Sequence, residues 1–244
     1  MRLGICCPLS LARTALESGF DYAEVPALEI AAASNLSPFK GLPLECTNLF
    51  FPHGIRLFGG EPFDWRAYVT LLLPRAAELG VKLMTVGSGR ARSAEEGEEG
   101  DTEERFLEMV AQIQLMAKPL GIVISPENLS PQETNVWNDY MRLRAATLSR
   151  SIGCTLDVYH VMSSPHSDFV LGRQDLPSHV HLSDWERKAY VWEDEFAIGQ
   201  IAALMELKYK GRYSLELNQT DPAEWPNIAK RFHKCMTTIA ESVP

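Results

Sequence analysis

Short apolar runs recur along this chain at a spacing that admits little except a repeated strand–helix unit. They fall at 2–6 (RLGIC), 21–25 (DYAEV), 43–46 (PLEC), 82–87 (KLMTVG), 121–125 (GIVIS), 152–158 (IGCTLDV), 179–183 (HVHLS) and 212–217 (RYSLEL). Most of the segments between them have helical periodicity. In FLEMVAQIQLMAK, Phe106, Met109, Val110, Ile113 and Met116 share one face. Asp101 or Thr102 is expected to cap that helix, and Pro119-Leu120-Gly121 to end it. DWRAYVTLLLPRAAELG reads as a helix with an internal proline. Eight units in 244 residues give about 30 residues each, the size of one βα repeat. Eight such units close into a (β/α)₈ TIM barrel. No linker divides the chain, so residues 1–244 read as one domain. An open doubly wound sheet is the competing architecture, but no GxGxxG opens the first unit. The helical signal is weakest at 27–41, broken by Pro and Ser, and at 161–176, which contains Pro165. The run 90–104, RARSAEEGEEGDTEE, reads as a solvated loop leading into a helix.

Composition excludes several classes. A hydrophobic content of 45% is ordinary for a chain with a sizeable core, and a net charge of −9 disfavours a nucleic-acid partner. No apolar run approaches the length that crosses a bilayer, so no membrane association is expected. The start, MRLGICCPLSLARTALESGF, has a faint signal-peptide look, but Pro8 and Arg13 interrupt it and no small-residue cleavage pattern follows. RLGIC reads better as a first strand. Five cysteines, none at CxxC spacing, read as reduced thiols in a cytoplasmic protein.

Barrel active sites lie where strands end, at the carboxyl face. The fifth run ends at Glu127, the sixth at Asp157, the seventh at His181 and the eighth at Glu216. Each has the parity of an inward residue: Val180 and Leu182 flank His181, and Leu215 and Leu217 flank Glu216. In TLDVYH, Gly153 and Thr155 share the side of Asp157, while Ile152, Cys154 and Leu156 take the other. Three carboxylates drawn together repel and lose solvation, so they need a cation. Three oxygens and one imidazole suit Mn²⁺ first, with Mg²⁺, Co²⁺ or Zn²⁺ as alternatives. A separate capping role for each residue explains any one of them, and explains four at matching register poorly.

These residues reach a known family. The chain resembles the xylose isomerase-like superfamily of sugar isomerases and epimerases, in particular the ketose 3-epimerases. GFDYAEVP (19–26) is similar to the family's second-strand motif and TVGSGRARS (85–93) to its fourth. ENLSPQETN (127–135) is similar to the fifth-strand motif, LDVYH to Leu-Asp-x-x-His, HLSDWER to His-(x)₅-Arg, and YSLELN to the eighth-strand motif. The resemblance implies that Glu127, Asp157, His181 and Glu216 bind one divalent metal ion. It places Glu133, His160 and Arg187 against the substrate, a small sugar. It implies a metal-dependent isomerase or epimerase of a ketose-type sugar or sugar derivative, working by proton abstraction next to a carbonyl through an enediolate. Glu127 and Glu216 would be the proton carriers. Glu24 either supports the ligands or is a salt-bridged strand-end residue.

A dehydratase or an aldose–ketose isomerase of the same superfamily is the first alternative. An AP-endonuclease-like DNA repair enzyme is a more remote one. Such nucleases bind three metals, whereas here no Asp-x-His follows His181 and His53 is the only histidine in the first 150 residues. A barrel that only binds its ligand is a third. The chain departs from the family at Arg187-Lys188-Ala189, where Pro-Gly is usual, so the loop over the site differs. GSGRAR admits an anion site. A tight turn with surface arginines is the preferred reading, since no helix is expected directly behind it. A homo-oligomer stays open.

Overall fold

All eight expected strands form, each short and each parallel to its neighbours. The computed structural model describes residues 1–59, 62–164, 170–189, 191–218 and 220–243. Among these, β1 (Arg2–Cys6), β2 (Tyr22–Pro26), β3 (Cys46–Asn48), β4 (Leu83–Val86), β5 (Val123–Pro126), β6 (Thr155–Asp157), β7 (His179–Leu182) and β8 (Arg212–Leu215) make one sheet. Its order is β5-β4-β3-β2-β1-β8-β7-β6. The sheet curls until β5 meets β6, where a single bridge, Glu127 to Thr155, joins the two edges. Asn128 reinforces that seam with its side chain, which accepts the Asp157 N–H at 2.9 Å and donates to the Asp157 carbonyl at 3.1 Å. A side-chain amide thus satisfies backbone groups that a longer ladder would have paired.

Helices alternate with the strands around the outside: α1 (Ala12–Glu17), α2 (Ala27–Ala32), α3 (Trp65–Glu78), α4 (Gly89–Arg92), α5 (Glu99–Ala117), α6 (Tyr140–Ser149), α7 (Val158–Met162), α8 (Glu195–Glu206) and α9 (Trp225–Ser242). The amphipathic pattern of α5 buries Phe106, Met109, Val110 and Ile113, as expected, while α9 buries Trp225, Ile228, Phe232, Met236 and Ile239. Each such side chain, fully withdrawn from water, contributes roughly 1.5–3 kcal/mol. No helix among the described residues is long and apolar enough to cross a membrane.

Three local expectations are corrected. The third strand is Cys46–Asn48 rather than 43–46: the Pro43 carbonyl accepts from Ala23 at 3.0 Å, but proline has no N–H to continue a ladder. Helix α5 begins at Glu99 with no side-chain cap, so Asp101 sits in its first turn, favourably placed for the helix dipole. The stretch 90–104 is therefore mostly helical, with α4 opening directly behind Gly87-Ser88. The weak second segment is, as expected, broken into α2 and a 3₁₀ turn at Ser37–Phe39. Pro165 lies outside the described residues.

Below the mouth, the barrel interior is small and polar. Thr155 Oγ1 lies 2.8 Å from Ser125 Oγ and 3.2 Å from Thr85 Oγ1. Nearer the base, the Tyr22 ring fills the centre, and a Cβ at Gly4 would come within 2.5 Å of it. All five cysteines are free.

Candidate active site

Strand register sets the site. Asp157 pairs with His181, and His181 with Ser214, so the ends of β6, β7 and β8 lie side by side. Val180 and Leu182 are fully buried on the other face, which turns His181 inward. Glu127 and Glu216 each follow the last residue of a strand. One donor atom from each of Glu127, Asp157, His181 and Glu216 lies within 4.8 Å of the others. His181 Nδ1 is 2.6 Å from Glu127 Oε1 and 3.3 Å from Glu216 Oε2. His181, Asp157 and Glu127 are buried, and Glu216 is partly open to the mouth.

Glu24, in the middle of β2, lies behind the histidine. Its Oε1 is 3.0 Å from His181 Nε2, its Oε2 is 2.7 Å from His179 Nε2, and it accepts from Ser214 Oγ at 2.5 Å. It is fully buried, lies in mid-strand rather than at a strand end, and pairs with both histidines, the placement a group that supports His181 would have. Burial opposes ionisation of Glu24, but the two imidazoles outweigh burial and hold its carboxyl well below the usual range. Because Nε2–H points to Glu24, Nδ1 is the nitrogen turned toward the three carboxylates. Neither His179 nor Ser214 was found in the sequence. The signal was there for His179, two residues before His181 and therefore on the same face of the strand. Two smaller clusters, Cys6–Glu24–His181 and Glu24–Cys46–His179, share this carboxylate. Burial pushes the Cys46 thiol well up, which keeps it protonated and a poor ligand.

The charges in the quartet are unevenly held. Burial, then Glu127 and Glu216, raise Asp157 well above the carboxylate range. Burial also raises Glu127. Glu216 is held well below it, because His181 and Arg187 outweigh the cost of burial. Burial opposes charge on His181 too, yet Glu24, Glu127 and Glu216 raise it well above the usual histidine value. Three converging carboxylates with one imidazolium and one guanidinium nearby are short of positive charge. A divalent cation fits this set: it relieves the repulsion on Asp157 and takes the place of the Nδ1 proton.

Three further residues line the rim. Asp157 caps α7 by accepting the His160 N–H at 3.2 Å through Oδ1, and its Oδ2 lies 3.5 Å from His160 Nε2. Capping thus uses one oxygen of the carboxylate and leaves the other facing His160 and Arg187. Burial, then the neighbouring Arg187, push His160 down to about 3, so its ring is neutral. Arg187 Nη2 is 2.8 Å from His160 Nε2, its Nη1 is 3.3 Å from Glu216, and the guanidinium lies 4.3 Å over the Tyr159 ring. Glu133 is about half exposed, 3.9 Å from both His160 and Arg187. The loop carrying Arg187 is wound on Asp184, whose Oδ1 accepts the N–H groups of Glu186 at 2.9 Å and Lys188 at 2.7 Å. Arg187 itself has φ +53°, and its carbonyl accepts from Asn218 at 2.7 Å. That network does here what a Pro-Gly turn would do by backbone preference.

GSGRAR is built differently from the expected turn with surface arginines. Arg92 is fully buried, donating to the carbonyls of Glu127 at 2.9 Å and Trp137 at 3.3 Å, with Phe106 4.9 Å beneath it. Burial lowers it to about 10, which still leaves it charged. It ties the end of β5 to the loop that follows. At Gly87 a Cβ would stand 2.5 Å from Glu127 Oε2. A larger residue there would push the carboxylate aside.

A family model described as xylose isomerase-like TIM barrel matches residues 12–237. Among solved structures, D-psicose 3-epimerase in the presence of D-fructose superposes with a TM-score of 0.78 at 18% identity, covering 98% of this chain and 99% of the other. D-Psicose 3-epimerase with D-tagatose from Clostridium cellulolyticum H10 gives 0.75 at 18% identity, covering 100% and 99%. The IOLI protein with a binding zinc atom gives 0.70 at 16% identity, covering 100% and 99%. No curated protein sequence matches.

Proposed function

The chain belongs to the xylose isomerase-like TIM-barrel family, and from that premise we propose that it is a divalent-metal-dependent epimerase or isomerase of a ketose-type sugar or sugar derivative. The convergence of Glu127, Asp157, His181 and Glu216 at the open end of the barrel, under His160 and Arg187, carries this assignment. The sugar ketoses in two of the superposed structures agree with it. The four quartet residues would hold the ion. A divalent ion held there supplies Lewis-acid polarisation of a substrate carbonyl and offsets negative charge on its oxygen.

The protein groups account for binding and proton movement. The Ser130 N–H donates to His160 Nδ1 at 3.1 Å, so the proton of the neutral ring is on Nε2. The Arg187 N–H then meets it donor to donor at 2.8 Å, an unfavourable contact that is relieved when both turn to a common acceptor. An acceptor oxygen of the substrate satisfies both. Glu133, at the rim, takes a hydroxyl donor. Glu127 and Glu216 move the proton: one removes it from the carbon beside the carbonyl, and the other returns one on the opposite face.

Glutamine preserves the size of glutamate but is far too weak a base to abstract the proton. With a panel of ketoses in D₂O followed by NMR, Glu127→Gln and Glu216→Gln each stop net epimerisation. One of them retains solvent exchange from a single epimer, and the other retains it when the opposite epimer is supplied. Exchange that persists unchanged in both variants would remove the glutamates from proton transfer. Water loss from the substrate would assign a dehydratase instead.

A further inference from the structure

The barrel interior is built in levels, each made of side chains from alternate strands. Glu24, Thr85, Thr155 and Ser214 form one level, from β2, β4, β6 and β8, with Ser214 2.5 Å from Glu24 and Thr85 3.2 Å from Thr155. The next level toward the mouth comes from the intervening strands: Cys6 on β1, Asn48 on β3, Glu127 after β5 and His181 on β7. Glu127 and His181 meet there at 2.6 Å, and the Cys6 sulfur lies within 4.8 Å of His181. Asn48 belongs with them by register. Cys46 pairs with Glu24 and faces inward beside it, and Asn48, two residues further along the strand, pairs with Pro26.

The rim is therefore divided. Strands β5 to β8 deliver the quartet, whereas β1 to β4 deliver Cys6, Pro26, Asn48 and Gly87, none of them charged. Asn48 is 8% exposed, and no described residue hydrogen-bonds its side-chain oxygen. Buried amide oxygens are normally paired. That of Asn128 is, accepting the Asp157 N–H at 2.9 Å across the seam. Asn48 closes nothing in the fold. The backbone also turns sharply behind it: Leu49 has φ +41°, in the left-handed region that leucine seldom adopts, and its carbonyl accepts the Leu28 N–H at 3.3 Å. Such strain concentrates at ligand clamps.

We propose that Asn48 is a specificity-determining contact, its amide oxygen accepting the O–H of a ketose hydroxyl beyond the carbonyl end that meets the quartet. The inference rests on the function proposed above and narrows the substrate to a ketose with at least one hydroxylated carbon past the reacting one. Strand β3 stands across the ring from β7, so a sugar with its carbonyl end at the quartet points its remaining carbons toward Asn48. Gly87 has no side chain, Pro26 has no donor or acceptor on its ring, and the Cys6 thiol is a weak hydrogen-bond partner. On that side of the mouth the amide is the group able to tell a hydroxyl from a hydrogen.

The test compares D-fructose with dihydroxyacetone, which has the carbonyl and its flanking hydroxyls but no further carbon, on the Mn²⁺-loaded protein. Affinity is read by isothermal titration calorimetry and proton exchange by NMR in D₂O. Asn48→Ala and Asn48→Leu should each weaken fructose about tenfold, the worth of one hydrogen bond, and leave dihydroxyacetone unchanged. Asn48→Leu, which keeps the branch at Cγ, should also keep the Mn²⁺ affinity and the melting temperature of the wild type. Fructose affinity unchanged in both variants, or an equal loss for both ketoses, overturns the contact, and exchange that persists in the wild type leaves the proposed chemistry standing. Loss of Mn²⁺ from the variants overturns it too, by placing the amide in the chelate. Fructose binding that depends on Asn48 with no exchange from either ketose upholds the contact and sinks the chemistry. Binding of neither ketose to the wild type overturns both.

Discussion

Gly87→Ala adds one methyl group and changes no residue of the candidate site. The new Cβ would lie 2.5 Å from Glu127 Oε2. Ordinary C···O contact begins at about 3.3–3.6 Å, so the carboxylate must retreat by about 1 Å. The other neighbours of that Cβ, Glu127 Cδ at 3.7 Å and Leu129 Cδ2 at 3.8 Å, are at normal contact, so the strain falls on the one oxygen. The backbone needs no positive φ at Gly87, and alanine there restricts the unfolded chain, a gain of about 0.4–1 kcal/mol that offsets part of the clash. Folding stability should therefore stay within about 1 kcal/mol, or 2–4 °C in Tm for a chain of this size. The site is less forgiving. A ligand displaced by about 1 Å should weaken divalent-ion affinity tenfold to a hundredfold, the size of effect that faulty support of a ligand produces. Misplacing a proton carrier by the same distance costs about a hundredfold in kcat/KM, or ~2.7 kcal/mol. Mn²⁺ titration against a competing chelator, beside a thermal melt of the metal-free protein, measures both. Unchanged affinity would show that Glu127 takes no part in holding the ion. A fall in Tm of about 10 °C would show that the methyl disturbs the fold rather than the carboxylate.

Other substitutions probe the supporting groups. Glu24→Gln leaves one of its two histidines facing an NH₂ group, so Mn²⁺ affinity should fall tenfold to a hundredfold; affinity equal to wild type would mean that His181 needs no orienting partner. Arg187→Ala and His160→Ala should keep the affinity for the ion while lowering ketose turnover by a hundredfold or more, and loss of the ion comparable to that in Asp157→Ala would move them into the chelate. Arg92→Met strands the Glu127 and Trp137 carbonyls in the core, an expected loss of about 3 kcal/mol in urea unfolding; a loss under 1 kcal/mol would mean that the buried guanidinium contributes little beyond its volume. Excess Mn²⁺ should raise Tm in the wild type, by linkage worth about 2.7 kcal/mol at 100 times Kd, and leave His181→Ala unmoved.

The barrel was legible because its signal repeats, with eight apolar runs at one spacing, and because strand parity decides which side chains point inward. Parity alone directs Glu127, Asp157, His181 and Glu216 to one mouth, where the structure brings them within 4.8 Å of one another. The same rule applied two residues earlier would have found His179, which sits in a run that read only as apolar. Arg92 was misjudged for a different reason. Its burial depends on carbonyls supplied from Glu127 and Trp137, 35 and 45 residues away, and nothing in GSGRAR carries that information. The start of α5 slipped by a few residues because acidic residues fill its first turn without one of them serving as the cap. The loop fixed by Asp184 could be seen only as a departure from Pro-Gly, since a carboxylate that gathers backbone N–H groups leaves no distinctive spacing.

The seam between β5 and β6 has one backbone bridge, and its two sides carry Glu127 and Asp157. A cation shared by those carboxylates is therefore also a clasp across the place where the ring of strands is least joined. Chelation and closure would then be one event, with part of the grip on the ion spent on holding the cylinder shut. Loss of the ion would loosen that same joint, while the opposite wall, where β1 pairs with β2 and β8 along most of its length, would stay laced. Amide exchange would register the difference as protection at Thr155 and Asp157 that rises and falls with the ion, against a constant background at Leu3 and Ile5. During folding, the groups that perform the chemistry would be the last brought into reach of one another.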